Sequence, residues 1–335
     1  MTVSVVLGRP SSFRSKGLAW FRQAFRPSHQ DIVWTPWDEQ GGRPLLTAGV
    51  AGSGMESCVD QWVCQALDQG VGLVAFSSHS KGLEGLWERA LTSPQPTDLL
   101  LIDATSGQVD PWFEASFQQA VVTRSIVLVR LPEEERCEEQ ARSVVRALEE
   151  WVWAIPPQAM LPGGSLWVLK KGERYFDGLT YQKRCHDLAE RRMVSLLSVE
   201  SLDCLPGHPQ ACWLDNLLEP VREVILFKQP PLDNERLQRL NDWQRSMRSD
   251  EKYKASEVWA RVQQQGLYAF QRLSQGQPAV SGKAISPTLS GLLSPAWSQA
   301  LTEATAAALL APSLRRQAAL EEGLPAGLIT SRERF

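Results

Sequence analysis

From residue 43 onward the chain alternates between short apolar runs and longer amphipathic stretches. Leu45–Ala48, Gly72–Ser77 (GLVAFS), Asp98–Ile102 (DLLLI), Ser125–Val129 (SIVLV), Ser165–Leu169 (SLWVL), Val194–Val199 and Val224–Phe227 (VILF) are short and mostly apolar, without apolar and polar residues alternating at every second position. A strand with one wet face alternates apolar and polar residues, whereas a strand apolar throughout is covered on both faces. Between these runs, Glu56–Gln69, Leu83–Thr92, Glu134–Trp153 and Tyr181–Arg192 read as helices, the third from the spacing of Val144, Val145, Leu148, Trp151 and Val152. Gly70 stands where a helix-terminating glycine belongs. Strands and helices in this alternation predict an α/β fold, a doubly wound, mostly parallel sheet flanked by helices. Residues 232–273 read as mostly helical and charged, and Pro278–Ile285 as a closing strand or hairpin.

Both ends of the chain depart from this pattern. The first thirty residues carry Arg9, Arg14, Lys16, Arg22 and Arg26 with no acidic residue before Asp31, and Phe13, Leu18, Trp20, Phe21 and Phe25 are interleaved with them. Read as a helix over Ser12–Phe25, this segment is basic and amphipathic. It either packs on the main domain with a solvated basic face, the preferred reading, or docks to an acidic partner or an anionic membrane surface. Beyond Pro287 the composition shifts to Ala, Ser, Leu and Pro, with helices expected over Pro295–Leu310 and Leu314–Glu322. The expected organisation is an N-terminal basic segment (1–40), an α/β domain (41–285) and an Ala-rich helical tail (286–335).

Composition narrows the function classes. With 335 residues, 43% of them hydrophobic, there is material for one large domain with appendages or for two small ones. A net charge of −3 gives no global basic field of the kind that coats nucleic acid. No run approaches the roughly 20 apolar residues of a membrane span, and Met1–Pro10 has no signal-peptide architecture, so the chain is expected in the cytoplasm. Cys58, Cys64, Cys137, Cys185, Cys204 and Cys212 form no C-x-x-C pair and no zinc-ligand spacing with the four histidines, so they read as packing thiols. Thirteen tryptophans read as packing anchors. Cys185 and His186 are neighbours on a helix, so their side chains diverge and form no dyad.

One strand–helix turn carries candidate chemistry. Gly49-Val50-Ala51-Gly52-Ser53-Gly54-Met55-Glu56-Ser57 has the spacing of the phosphate-binding G-x-x-x-x-G-K-[ST] loop with two substitutions. Met55 takes the place of the lysine that reaches the β- and γ-phosphates, and a thioether supplies no charge there. Glu56 takes the place of the magnesium-ligating hydroxyl and sets a negative charge beside a polyanion, with Ser57 one position later. The loop amides and the helix N-terminus still attract an anion weakly, although Glu56 itself satisfies that dipole. Alone, the glycine spacing is also that of an ordinary strand–helix turn.

The stretch Gly49–Ser80 (GVAGSGMES…QALDQGVGLVAFSSHS) resembles the opening of the FtsK–HerA superfamily of P-loop, RecA-like ATPases, closest to the TraG-like coupling proteins of conjugation and type IV secretion. Downstream, Thr97–Asp103 with Asp110-Pro111-Trp112, Ser165–Lys171, Ser198–Leu202, Val221–Gln229 with Leu232–Leu240, and Gln271–Gly282 are similar to successive elements of that family, the last to its terminal strand pair, so the resemblance covers about 43–285. It implies a RecA-like fold. The departures fall on ATP-handling positions. The family's D-P-K reads Ser77-Ser78-His79, its Asp-Glu strand end reads Lys170-Lys171, and its sensor glutamine is Glu200. Lys170 or Lys171 neutralises Glu56 in an empty site, or both are solvated residues at a strand end. The family's transmembrane helices and inserted all-helical domain are absent.

The resemblance therefore implies a catalytically inactive ATPase-like subunit, a structural or interaction component of a conjugation or type IV secretion machine. Neither ATP nor magnesium is expected to bind. Expected partners are proteins, either an active homologous ATPase or other secretion-machine subunits, in a cytoplasmic assembly or one held at the inner membrane through a partner complex. The alternatives are an unorthodox nucleotide-binding ATPase, with a lysine such as Lys170 serving the phosphates, and a DNA-binding accessory factor.

Overall fold

The apolar runs become strands, at nearly the bounds the pattern sets. The computed structural model describes residues 3–10, 31–38, 41–78, 81–92, 99–133, 137–174, 178–202, 218–231, 234–245, 255–274 and 277–284. In chain order the strands are β1 (Val5–Pro10), β2 (Ile32–Trp34), β3 (Trp37–Asp38), β4 (Gly41–Gly42), β5 (Leu45–Ala48), β6 (Gly72–Ser77), β7 (Leu99–Asp103), β8 (Ile126–Arg130), β9 (Ser165–Leu169), β10 (Met193–Val199), β11 (Glu223–Leu226), β12 (Ala269–Ser274) and β13 (Gln277–Lys283). The helices are α1 (Met55–Asp68), α2 (Lys81–Thr92), α3 (Glu114–Val122), α4 (Glu138–Trp153), α5 (Gly178–Glu190), α6 (Asn234–Arg245) and α7 (Ala255–Gln263).

The chain forms two compact units. Over the described residues, the first draws on the stretches Met1–Ala66, Asp177–His186 and Val194–Ser286, and the second on Leu67–Phe176 and Asp187–Met193. In the first unit the strand order is β2-β1-β13-β12-β11-β5-β10. β5 lies between β10 and β11 and is parallel to both, with Leu46 opposite Leu197 on one side and Val224 on the other. From β11 outward every pairing turns antiparallel, through β12 and β13 to β1 and β2. In the second unit β9, β6, β8 and β7 stand side by side and all run parallel. The sheet architecture is therefore mixed and mostly parallel through the α/β part, flanked by helices.

Every residue of β5, β6, β9, β10 and β11 is buried, as expected of strands covered on both faces. α1 buries Met55, Cys58, Val59, Trp62, Val63 and Ala66, one stripe at helical spacing, and Gly70 ends it at φ +77 with its N–H on Leu67 O (2.9 Å). The stripe meets an aromatic cluster in which the Trp62 ring centroid lies 6.1 Å from that of Phe227 and 6.5 Å from that of Phe270. Two side chains of α1 then serve the backbone of β1. Trp62 Nε1 donates to Leu7 O (3.2 Å), while the Gln65 amide accepts from Val6 N (2.8 Å) and donates to Val6 O (3.1 Å). In the second unit Phe76 and Trp167 pack at 4.6 Å between β6 and β9. The C-terminal carbonyls of α4, at Val152 and Trp153, are capped by the Arg191 guanidinium at 3.0 and 2.8 Å.

Three local expectations change. Residues 269–274 form a strand, as the resemblance over Gln271–Gly282 implies and the local helical reading of 232–273 does not, because pairing with β11 and β13 overrides a local sequence without β-branched residues. The polar residues of that strand find partners in the sheet. Gln271 bonds Ser281 Oγ (2.8 Å), and Arg272 pairs with the buried Glu223 (2.6 Å). α3 arises between β7 and β8, where no helix was anticipated. Residues 5–10 and 32–34, within the segment 1–40 set apart as basic and outside the stretch read as a helix, are strands β1 and β2 of the first unit. The helices expected over 12–25, 295–310 and 314–322 lie outside the described residues.

Trp62 is fully buried and fills the space between α1, β11 and β12. Trp62→Ala is expected to cost about 3–5 kcal/mol, read as a lower midpoint in urea unfolding. An unchanged midpoint would remove this cluster as the centre of the first unit's core.

Candidate functional site

The glycine loop leaves the sheet at the end of a strand enclosed on both sides, and backbone bonding there is tightly determined. Ala48 O accepts from Phe227 N (2.8 Å), Gly49 N–H donates to Val199 O (3.0 Å), and Val50 N–H donates to Lys228 O (3.0 Å). The loop is thereby pinned to the ends of both neighbouring strands. A Cβ at Gly49 would lie 2.8 Å from Phe227 Cβ and from Ser53 Oγ, so no side chain fits. Ser53 N–H then closes a turn on Val50 O (3.0 Å), and Gly52 and Gly54 take φ values of +77 and +84, which glycine adopts without steric cost. Met55 N–H points back at the Ser53 hydroxyl (3.4 Å), and Cys58 N–H bonds Gly54 O (3.1 Å) to start α1.

The loop thus has the strand–turn–helix setting of a phosphate cradle, with different side chains. Met55 is 2% exposed and belongs to the apolar stripe of α1. Ser53 is buried, while Ala51, Gly52, Glu56 and Ser57 are exposed. Glu56 lies in the first turn of α1, where a carboxylate satisfies the helix dipole. Two residues on, burial pushes the Cys58 thiol up to about 12, with the charge of Asp60 adding to the effect. A thiol held neutral in this way is no nucleophile at physiological pH.

Glu200 follows β10 beside the loop and is half-buried. Its backbone is fixed by Gln229, whose amide nitrogen donates to Glu200 O (3.3 Å) and whose oxygen accepts from Leu202 N (3.2 Å). The first unit therefore brings Gly49, Gly52, Ser53, Gly54, Met55, Glu56, Ser57 and Glu200 to neighbouring strand ends. Lys170 and Lys171 belong to the second unit, at the end of β9. The reading of Lys170 as a solvated strand-end residue is overturned. It is 2% exposed, and its ammonium donates to Gly82 O at 2.5 Å. Lys171 is half-buried at φ +53.

Three residues beside the loop escaped the sequence reading. Lys228 is exposed where β11 ends, with its carbonyl on the loop. Gln229 is buried and joins β10 to β11. Tyr268 donates its N–H to Ser53 O (3.0 Å) and lays its ring against Gly54. Its left-handed backbone, φ +62, is rare for a bulky residue, and no local signal in Leu-Tyr-Ala announces it. Among the described residues no cluster of His, Cys, Asp or Glu could hold a metal ion, and no helix is long and apolar enough to cross a membrane.

Parallel strands buried on both faces, with a glycine-rich strand–helix turn at the end of β5, define an α/β, RecA-like P-loop ATPase fold. No protein-family model matches the chain, and no curated protein matches it. Among solved structures it is similar to the plasmid coupling protein TrwB in complex with the non-hydrolysable ATP analogue ADPNP. The TM-score is 0.50 at 8% identity, over 89% of this chain and 97% of that one. It is also similar to the genome packaging NTPase B204 from Sulfolobus turreted icosahedral virus 2, with a TM-score of 0.45 and 12% identity over 72% of this chain and 97% of that one. A further match is the cytoplasmic domain of the Thermomonospora curvata type VII secretion ATPase EccC, with a TM-score of 0.42 and 12% identity over 84% of this chain and 28% of that one. At these identities the likeness to TrwB is one of fold, and that fold is the one implied by the resemblance to FtsK–HerA-type ATPases.

Because Cys58 stays protonated until about pH 12 in the folded chain, and an unfolded thiol ionises near pH 8.5, the unfolded state holds fewer protons between those values. Stability is then expected to fall as pH rises through that window. In the native protein at about pH 8, iodoacetamide should label Cys64, half-buried on the same helix, and leave Cys58 unmodified until denaturant is added. Labelling of Cys58 at the rate of a free thiol would show that α1 opens readily.

Proposed function

We propose that the chain is a non-hydrolysing, ATPase-like subunit that acts by binding other proteins within a conjugation or type IV secretion machine. The supporting observation is Met55. The position from which a lysine would reach the phosphates is occupied by a thioether 2% exposed and packed into the core, so the loop supplies no cation. Glu56, exposed at the next position, sets a carboxylate where a polyanion would lie. The amides of Gly49, Val50, Ser53 and Met55 already have acceptors within the protein. Lys170, the cation proposed to serve in the lysine's stead, is buried with its ammonium on Gly82 O. On this reading the chain holds neither ATP nor magnesium. It works in the cytoplasm, or at the inner membrane through a partner complex, beside an active homologous ATPase or another machine subunit.

Lys228 favours a second reading, nucleotide binding through an unorthodox site. It is an exposed cation whose backbone is bonded to the glycine loop. Calorimetric titration with ATP and magnesium separates the two. The native chain is expected to give no binding heat, and Met55→Lys/Glu56→Thr to give a measurable one. Micromolar binding by the native chain would overturn the proposal, and its loss in Lys228→Ala would establish the second reading.

A further inference from the structure

The glycine loop is held not only by its neighbouring strands but also by the turn that precedes β12. Tyr268 donates its main-chain N–H to Ser53 O at 3.0 Å, and its own carbonyl accepts from Ala284 N at 2.8 Å, so the residue is tied on one side to the loop and on the other to the end of β13. Its ring lies against Gly54, where an added Cβ would strike the ring and come within 3.2 Å of Leu267 Cδ1. Ala269 N–H bonds Gly266 O (3.2 Å), which closes the turn that presents Tyr268. Holding a tyrosine at φ +62 crowds its Cβ against its own backbone, and the contacts on both sides of the residue offset that cost.

These contacts act on one peptide plane. The Ser53–Gly54 peptide is planar and trans, so pinning its carbonyl toward Tyr268 fixes the Gly54 N–H on the opposite side. The ring then packs against Gly54 on the side from which a side chain would project. Ser53 is thus held between the bond from its own N–H to Val50 O, the bond from its hydroxyl to Met55 N–H and the bond from its carbonyl to Tyr268 N–H. A polyphosphate entering the loop needs the Met55 amide and freedom for this peptide to adjust.

We infer that Tyr268 is an internal clasp, holding the glycine loop in its self-bonded form against a nucleoside triphosphate. The clasp deepens the reading of the loop as a disused phosphate cradle and rests on it. Removing the ring keeps the main-chain bond from residue 268 to Ser53 O and takes away the packing against Gly54, so the Ser53–Gly54 peptide is held on one side only and the Met55 amide next to it opens more often. Tyr268→Gly is the direct variant, since glycine keeps the left-handed backbone at no steric cost. Tyr268→Asn, which also tolerates that conformation, serves if the glycine variant does not fold.

Amide hydrogen exchange on the full chain provides the first readout. Exchange at Met55 is expected to rise about tenfold in the Tyr268 variant, while the amides of Leu197 and Ile225, in the flanking strands, keep their native rates. Equal Met55 rates in the two proteins would overturn the clasp. The second readout is calorimetry with ATP and magnesium in the Met55→Lys/Glu56→Thr background. There Tyr268→Gly is expected to tighten binding about tenfold. Unchanged affinity would overturn the clasp, and so would weaker affinity, which would make the ring an aid to the ligand. ATP binding by the native chain would overturn the proposed function, and the exchange comparison would still decide the clasp.

Discussion

The constraint on which the first unit depends is that β5 is enclosed on both sides and on both faces, so every backbone group at its end must find a partner inside the protein. The chain meets this demand by distributing the groups that emerge from β5. Ala48 O and Val50 N–H are bonded at the end of β11, and Gly49 N–H at the end of β10. Once those positions are set, the path of the loop follows. Gly49 has no room for a side chain, Gly52 and Gly54 must turn through the left-handed region, and α1 starts where Gly54 O meets Cys58 N–H. The same helix carries Trp62 and Gln65 to the backbone of β1, so the exit of one strand also fixes where the N-terminal strands dock.

This explains why the outline of a phosphate loop stands here without the lysine. Each glycine of the pattern has a structural reason independent of any ligand. Gly49 answers to Phe227, Gly54 to Tyr268, and Gly52 to the turn closed by Ser53 and Val50. The lysine position has become a core position, and the hydroxyl position has not. Met55 contributes to the core stripe, and Glu56 faces solvent at a helix N-terminus. The loop is thus maintained by packing at its glycines and at Met55, and open to substitution at Glu56.

How much of this could be read from the chain depends on where the determining interaction lies. The buried parallel strands were legible because burial on both faces writes itself as an uninterrupted apolar run, and Gly72–Ser77 and Ser165–Leu169 fall at the expected bounds. The glycine loop was legible for a similar reason, since its conformation is imposed locally. β12 was not legible in the local pattern, only in the resemblance over Gln271–Gly282, because Ala-Phe-Gln-Arg-Leu-Ser becomes a strand only when Glu223 and Ser281 supply partners for Arg272 and Gln271. Tyr268 was invisible for the strongest version of that reason. Its backbone conformation and its ring position are both set by residues some two hundred positions away in the chain, at Ser53 and Gly54. For Lys170 the sequence leaves open a cation neutralising Glu56 and a solvated strand-end residue, and only the fold shows its ammonium buried against a carbonyl of α2.

Charge at the loop then sets the argument for what this fold can do. A phosphate cradle works by combining oriented amides with a cation, and the amides alone give weak, unselective attraction. Here Met55 has taken the lysine's position into the core, Glu56 has brought in the opposite charge, and the Ser53 hydroxyl accepts from the Met55 amide. Restoring one of these features leaves the others opposed to an anion. A lysine at residue 55 would still face the carboxylate of Glu56, and a threonine at residue 56 would leave the loop without its cation. The double substitution is therefore the smallest change that reinstates the chemistry, and Tyr268 is the remaining contact that decides whether the restored loop is free to use it.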